Sequence, residues 1–201
     1  MGLSKKDAAI KRAFDFTFSF LGLMATWWLI LIAWILSTWD TKQNGLFLQE
    51  RVGQHGKVFK VIKIRTMKPV HGVTTTVTQL NDARITPLGA FFRKWKIDEL
   101  PQLINVLLGQ MSFVGPRPDV PGFADQLDGE AREVLSIKPG ITGPATLKYR
   151  NEEELLSKVN DPDKYNRDVI FPDKVRINLK YIREFSLQKD IQYIWQTIRG
   201  S

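Results

Sequence analysis

Hydrophobic and polar positions divide this 201-residue chain into two unequal parts. From Phe16 to Trp39 twenty-four consecutive residues carry no charge (FTFSFLGLMATWWLILIAWILSTW). As a straight helix such a run reaches about 36 Å, beyond the roughly 30 Å of a bilayer's hydrocarbon core, so it reads as membrane-embedded. It does not read as a cleaved leader, because no small-x-small site follows it and Asp15 stands at its start.

The remainder has the pattern of a globular domain. Residues 58–67 (VFKVIKIRTM) are rich in β-branched and aromatic types and predict a strand, entered through a tight turn at Gly53 and Gly56. Residues 68–82 are polar and Thr-rich, a loop or irregular hairpin. A helix follows over 85–96, where Phe91, Phe92 and Trp95 alternate with Arg93, Lys94 and Lys96. That mixture suits a helix at the lipid headgroup level and also suits RNA stacking. Pro101 opens another helix that Gly109 stops after Leu107 or Leu108. Asn151 and Glu154 predict a capping-box start, 161–174 reads as irregular, and 175–198 as one or two amphipathic helices with a break near Ser186.

Charge changes this picture at two points. Lys and Arg number 29 against 21 acids, a net charge of +8, which favours an anionic partner. Both flanks of the apolar segment are basic, and positive residues favour the cytoplasmic side. The expected anchor is therefore a re-entrant helix-break-helix with Gly22 and Thr26 at the bend, and a plain spanning helix is the alternative. The absence of Cys, with only two His, excludes disulfides, a thiolate nucleophile and soft-metal chemistry.

Candidate chemistry concentrates in 97–118, IDELPQLINVLLGQMSFVGPRP. Asp98 and Glu99 lie at a helix start, where acids serve as simple caps. Such a start also attracts phosphate, and a hard divalent cation such as Mg²⁺ reconciles two carboxylates with a phosphate. Arg117, between Pro116 and Pro118, has a restricted backbone and suits bidentate phosphate binding. Lys63 and Arg65, two apart on the predicted strand, would face one phosphate together or blunt a solvated edge.

Taken in order, the motifs resemble the monotopic phosphoglycosyl transferases, the bacterial sugar transferase family that starts glycan assembly on a polyprenyl phosphate. They are Lys11-Arg12-x-x-Asp15, Arg51-x-Gly53-x-x-Gly56-x-x-Phe59, Lys63-x-Arg65-Thr66-Met67, Asp98-Glu99-Leu100-Pro101-Gln102, Ser112-Phe113-x-Gly115-Pro116-Arg117-Pro118 and Lys138-Pro139-Gly140-Ile141-Thr142-Gly143. The resemblance implies a mostly helical α/β fold: a membrane-embedded, re-entrant helix within residues 1–39, then a catalytic domain over 40–201 with a short β-hairpin and interfacial amphipathic helices.

It further implies an enzyme of the cytoplasmic face of the bacterial inner membrane. Asp98 would attack the β-phosphorus of a UDP-sugar, release UMP and pass the phosphosugar to undecaprenyl phosphate. Glu99 would share catalysis and help hold Mg²⁺, while Lys63, Arg93, Arg117 and Arg150 would bind substrate. Membrane lipid is an expected partner, a homodimer is compatible, and nucleic acid is not expected. Trp27-Trp28 stands where many members carry Ser-Pro, Asn178 where some carry Asp, and Pro144 with Leu147-Lys148-Tyr149 replaces a different run.

Overall fold

The computed structural model describes residues 2–68 and 82–200. Most of the loop expected over 68–82 therefore lies outside the described residues.

The chain opens with one helix, α1 (Lys5–Thr41), capped where the Ser4 hydroxyl accepts from the Asp7 amide. Helical bonding continues without interruption, so the break expected at Gly22 and Thr26 is absent. The reason is chemical. Neither position is a proline, and the Thr26 hydroxyl donates to the Gly22 carbonyl at 2.7 Å inside an intact turn.

The helix is polar towards the protein and apolar outward. Its buried positions are Lys11, Asp15, Ser19, Ala33, Ser37 and Thr41, all charged, hydroxylated or small. Phe16, Phe20, Met24, Trp27, Trp28, Leu31 and Ile35 are exposed, the inverse of a helix packed in water. Both ends bond to the same domain. Near one end, Arg12 donates to the Val106 and Leu107 carbonyls at 2.8 and 2.7 Å, and Asp15 accepts from Ser112 Oγ and the Phe113 amide. Near the other, Ser37 Oγ donates to the Arg65 carbonyl at 2.6 Å, and Ala33 packs with Ile64 and Phe92.

The hairpin expected from the sequence forms from β1 (Leu46–Val52) and β2 (Val58–Ile64), antiparallel, with Leu46 opposite Ile64 and Val52 opposite Val58. The Gly53–Lys57 turn closes it, with the Gly53 amide bonded to the Lys57 carbonyl at 2.9 Å. Because β2 stops at Ile64, Lys63 and Arg65 do not share a target. Lys63 turns to Glu99, while Arg65 donates to the Asn44 carbonyl and lies over the Phe47 ring.

Next come α2 (Pro87–Lys94), capped by the Thr86 hydroxyl, and α3 (Gln102–Leu107), which Gly109 ends at φ +79°. A parallel pair not foreseen in the sequence joins β3 (Ser112–Val114) to β4 (Gly140–Thr142). Its glycines explain two motifs at once: a Cβ on Gly140 would collide with the Gly115 amide nitrogen, and one on Gly143 with the Gly115 carbonyl.

Helices α4 (Pro144–Lys148), α5 (Glu152–Ser157), α6 (Pro162–Tyr165), α7 (Phe171–Arg183) and α8 (Leu187–Arg199) complete the chain. The capping box at Asn151 does not form: its side chain makes no cap bond, and Glu154 pairs with Lys158 instead. The stretch read as irregular is helical. Asp161 caps α6 by accepting from the Lys164 amide, Pro162 and Pro172 occupy first-turn positions that need no N–H donor, and a π-turn over Asn166–Ile170 joins the two helices. The break near Ser186 is present, with its hydroxyl accepting from the Lys189 amide.

The last helix is locked to the first. Lys11 and Asp190 form an ion pair buried at both ends, and the Tyr181 hydroxyl donates to Asp190 at 2.7 Å. Exposed aromatics also mark α2 and its C-cap (Phe91, Trp95) and α8 (Trp195), as expected of amphipathic helices that lie at an interface.

Candidate active site

A single 3₁₀ turn, Ile97–Glu99, carries the carboxylate pair between α2 and α3. Lys96 enters it in the left-handed conformation (φ 57°), which sends the chain sharply back. Asp98 is 8% exposed, and its Oδ1 has no hydrogen-bond partner. Burial, reinforced by the neighbouring Glu99, pushes its carboxyl up to about 6 against the pull of Lys63, Lys96 and Arg93. Asp98 is therefore ionised at neutral pH, yet poorly solvated and uncommitted, the condition in which a carboxylate serves as a nucleophile.

Glu99 has the opposite environment. Its Oε1 accepts from Arg117 at 2.9 Å and from Lys63 at 3.4 Å. Burial alone would raise it, but Arg117, Lys63 and Lys96 outweigh that and hold it well below the usual carboxylate range. Adjacent carboxylates driven apart in this way take separate roles: one reacts, and the other stays charged and orders cations.

Two of the four expected substrate-binding residues, Lys63 and Arg117, thus meet at the pair. A third, Arg93, contributes charge from α2; its guanidinium donates to Thr66 Oγ1 at 3.0 Å and rests on Met67 Sδ at 3.6 Å. Gly89 permits this docking, since a Cβ there would overlap the Thr66 carbonyl. Arg150 is not brought to the pair. It is exposed and donates to the Gln196 carbonyl in α8, a contact with the C-terminal helix rather than with the site.

Sequence reasoning overlooked two supports. Arg51 donates to the Pro118 carbonyl at 3.1 Å, and the next amide, Val52, donates to the Asp119 carbonyl at 2.9 Å, so the hairpin end grips the turn that presents Arg117. Its presence in the Arg-x-Gly motif was the available signal. Asn105 is fully buried on α3 and bridges to β2, donating to the Lys60 carbonyl and accepting from the Ile62 amide. An Asn in an otherwise apolar helix face was its signal.

Arg117→Ala is expected to lower turnover about tenfold or more while leaving the fold intact, since a charge-assisted contact to phosphate contributes on the order of 1.5–3 kcal/mol. If Arg51 works through this turn, Arg51→Ala/Arg117→Ala should be no slower than Arg117→Ala alone. Steady-state rates of the three variants check both statements, and additive losses would give Arg51 an independent task.

The donor set suits a hard cation. Asp98 offers an unpartnered carboxylate oxygen, and Glu99 has a second oxygen beyond the one held by Arg117 and Lys63. Among the described residues no three acidic or His side chains cluster into a metal cage. An ion such as Mg²⁺ needs only one or two carboxylates and completes its shell with phosphate oxygens and water.

Comparison with known proteins gives this arrangement its class. The sequence matches the family described as Bacterial sugar transferase over residues 6–201; the chain belongs to that family and is a transferase. It is 44% identical over 159 residues to the putative undecaprenyl-phosphate N-acetylgalactosaminyl 1-phosphate transferase of Bacillus subtilis (strain 168), covering 75% of this chain and 85% of that one. Identity is 35% over 202 residues to the exopolysaccharide production protein PSS of Rhizobium leguminosarum bv. phaseoli, covering 96% and 94%. It is 39% over 163 residues to the UDP-glucose:undecaprenyl-phosphate glucose-1-phosphate transferase of Escherichia coli (strain K12), covering 76% of this chain and 32% of that one. The chain thus spans most of its shorter relatives and about a third of this longer one.

Proposed function

We propose that this protein transfers a sugar-1-phosphate from a UDP-sugar to undecaprenyl phosphate, through a phosphosugar held covalently on Asp98, as the membrane step that begins assembly of a glycan. One observation carries the reading: a buried Asp98 with an unpartnered oxygen beside a Glu99 already clamped by two cations. The names of the relatives support the donor and acceptor classes.

In the first half-reaction an Asp98 oxygen attacks the β-phosphorus. The bond from that phosphorus to the bridging oxygen breaks, and UMP leaves with the electron pair. Lys63, Arg93 and Arg117 bind the diphosphate and stabilise the charge that gathers on the leaving phosphate. In the second, an oxygen of undecaprenyl phosphate attacks the same phosphorus, which restores the Asp98 carboxylate and yields the polyprenyl diphosphate sugar. Mg²⁺, held by Asp98 and Glu99, would neutralise diphosphate charge when bound. Low-dielectric surroundings strengthen each of these interactions.

The anchor suits an acceptor that lives in the bilayer. In this reading the apolar side of α1 faces lipid; the bonding of its two ends to one domain supports a location of both on one side of the membrane, for which we propose the cytoplasmic face of the inner membrane. Tags at the N- and C-termini are expected to resist a membrane-impermeant label in intact cells. An N-terminal tag that is labelled from outside would establish a spanning helix.

The test of the chemistry is mass spectrometry of intact protein in nanodiscs, mixed with Mg²⁺ and a panel of UDP-sugars without acceptor. A burst of UMP near one per site and a phosphosugar adduct on Asp98 are expected. Neither signal with any sugar, together with turnover once acceptor is added, would establish direct displacement instead.

A further inference from the structure

Neither course expected for the apolar segment, a bend or a span, fits the way α1 packs. Inward positions recur every three or four residues from Lys11 to Thr41, with Gly22, Thr26 and Ile30 half-buried between the buried Ser19 and Ala33. One face therefore meets the domain along about 45 Å of helix. A re-entrant bend would carry the middle of the segment away from the domain. Instead the middle touches it: a Cβ on Gly22 would stand 3.2 Å from Leu103 Cδ1 of α3.

A span fails on charge. With Phe16 to Trp39 upright, the bilayer centre falls between Trp27 and Trp28, and Gly22 and Ala33 lie about 8 Å to either side, inside a half-thickness of about 15 Å. Whatever packs on those positions enters hydrocarbon with them. Ala33 clusters with Ile64, Phe92 and Ile97, each next in sequence to a charged residue: Lys63, Arg93 and Asp98. Ionised side chains at such depth are costly, and here they would go with a whole face of the domain.

Tryptophan supplies an independent observation. Trp27, Trp28, Trp34 and Trp39 are all exposed, and Trp favours the boundary between headgroups and acyl chains. A span or a bend would put Trp27 and Trp28 at the deepest level, whereas a helix lying flat keeps all four at the boundary.

We infer that α1 lies unbroken in the plane of the membrane, its outer side sunk about 5–10 Å into one leaflet and its inner side covered by the domain from Lys11 to Thr41. This rests on the membrane location proposed above and is independent of the chemistry of Asp98. Lys5, Lys6 and Lys42, exposed beyond the two ends of the apolar run, then meet the same layer of lipid phosphates.

The chain has no cysteine, so single nitroxide labels can report depth along the outer side of α1. Thr17→Cys, Met24→Cys, Leu31→Cys and Ile35→Cys change exposed positions only. In the full-length protein, reconstituted in vesicles of phosphatidylcholine and phosphatidylglycerol, depths from oxygen and nickel-chelate accessibility should agree within about 5 Å. A steady ramp of about 27 Å from Thr17 to Ile35 would establish a span, and a maximum at Met24 with shallow ends would establish a bend; either overturns the inference. Wild-type tryptophan fluorescence gives a second readout without substitution. Bromine near the headgroup end of the acyl chains should quench it more than bromine near the chain end, and the reverse order would overturn the inference. Labels that meet water alone at all four positions would defeat the membrane location itself, and this inference with it.

Discussion

Asp98→Asn is expected to melt higher than the wild-type protein while forming no adduct and releasing no UMP. Both effects follow from one fact, the burial of a charge without a dedicated partner. Asn keeps the shape of the side chain and removes the anion, so the nucleophile is lost completely. The stability gain follows from linkage. An Asp raised from an ordinary value of 3.8 to about 6 is more costly to ionise in the folded protein than in the unfolded chain. Its penalty is fully present above about pH 6, shrinks as the pH falls through that value, and is gone below the unfolded value. A shift of roughly two units corresponds to about 3 kcal/mol at most, so a gain of about 1–3 kcal/mol is expected at pH 8 and almost none at pH 4. Thermal midpoints of both proteins in detergent, with chelator present and over that pH range, check it. A variant destabilised at pH 8 would show that Asp98 holds the turn together rather than straining it.

The second large effect lies at the junction of the first and last helices. Asp190→Asn leaves the Lys11 ammonium buried with a neutral carboxamide and the Tyr181 hydroxyl for company. Breaking one half of a buried ion pair typically costs about 3–5 kcal/mol, enough to unfold a marginal protein. Replacing both members, Lys11→Met with Asp190→Leu, should recover part of that loss, because neither member of the pair is then left buried alone, while the buried Asp15 loses the nearby Lys11 charge. Denaturation midpoints of the single and double variants decide the point. Equal losses in all of them would mean that the pair contributes shape rather than charge compensation.

How much of this was legible in the sequence depends on the range of the interaction. Turns and helix ends set by one residue's own chemistry were readable: Gly53 and Gly56 in the hairpin turn, Gly109 after α3, and Ser186 at the start of α8. The carboxylate pair and Arg117 were also readable, because proline and neighbouring charge leave a local imprint. Arg51 and Asn105 act on partners far along the chain: the Arg-x-Gly motif marks Arg51, and an apolar helix face marks Asn105, but neither signal names the partner. The parallel joining of β3 to β4 depends on glycines meeting across separate loops, which no periodicity in either loop encodes. The stretch 161–174, read as irregular, is helical because Pro162 and Pro172 sit in first turns, where a missing N–H costs nothing.

The inverted polarity of α1 has a bearing on how the protein can be handled. A tether could be cut away to release a soluble catalyst, but here the removed piece would take Arg12 from the end of α3, Asp15 from β3, Lys11 from Asp190 and Ala33 from the hairpin core. The apolar helix is thus one wall of the enzyme. Under the function proposed above, lipid would solvate the outer side of that wall, and catalyst and bilayer would have to be studied together.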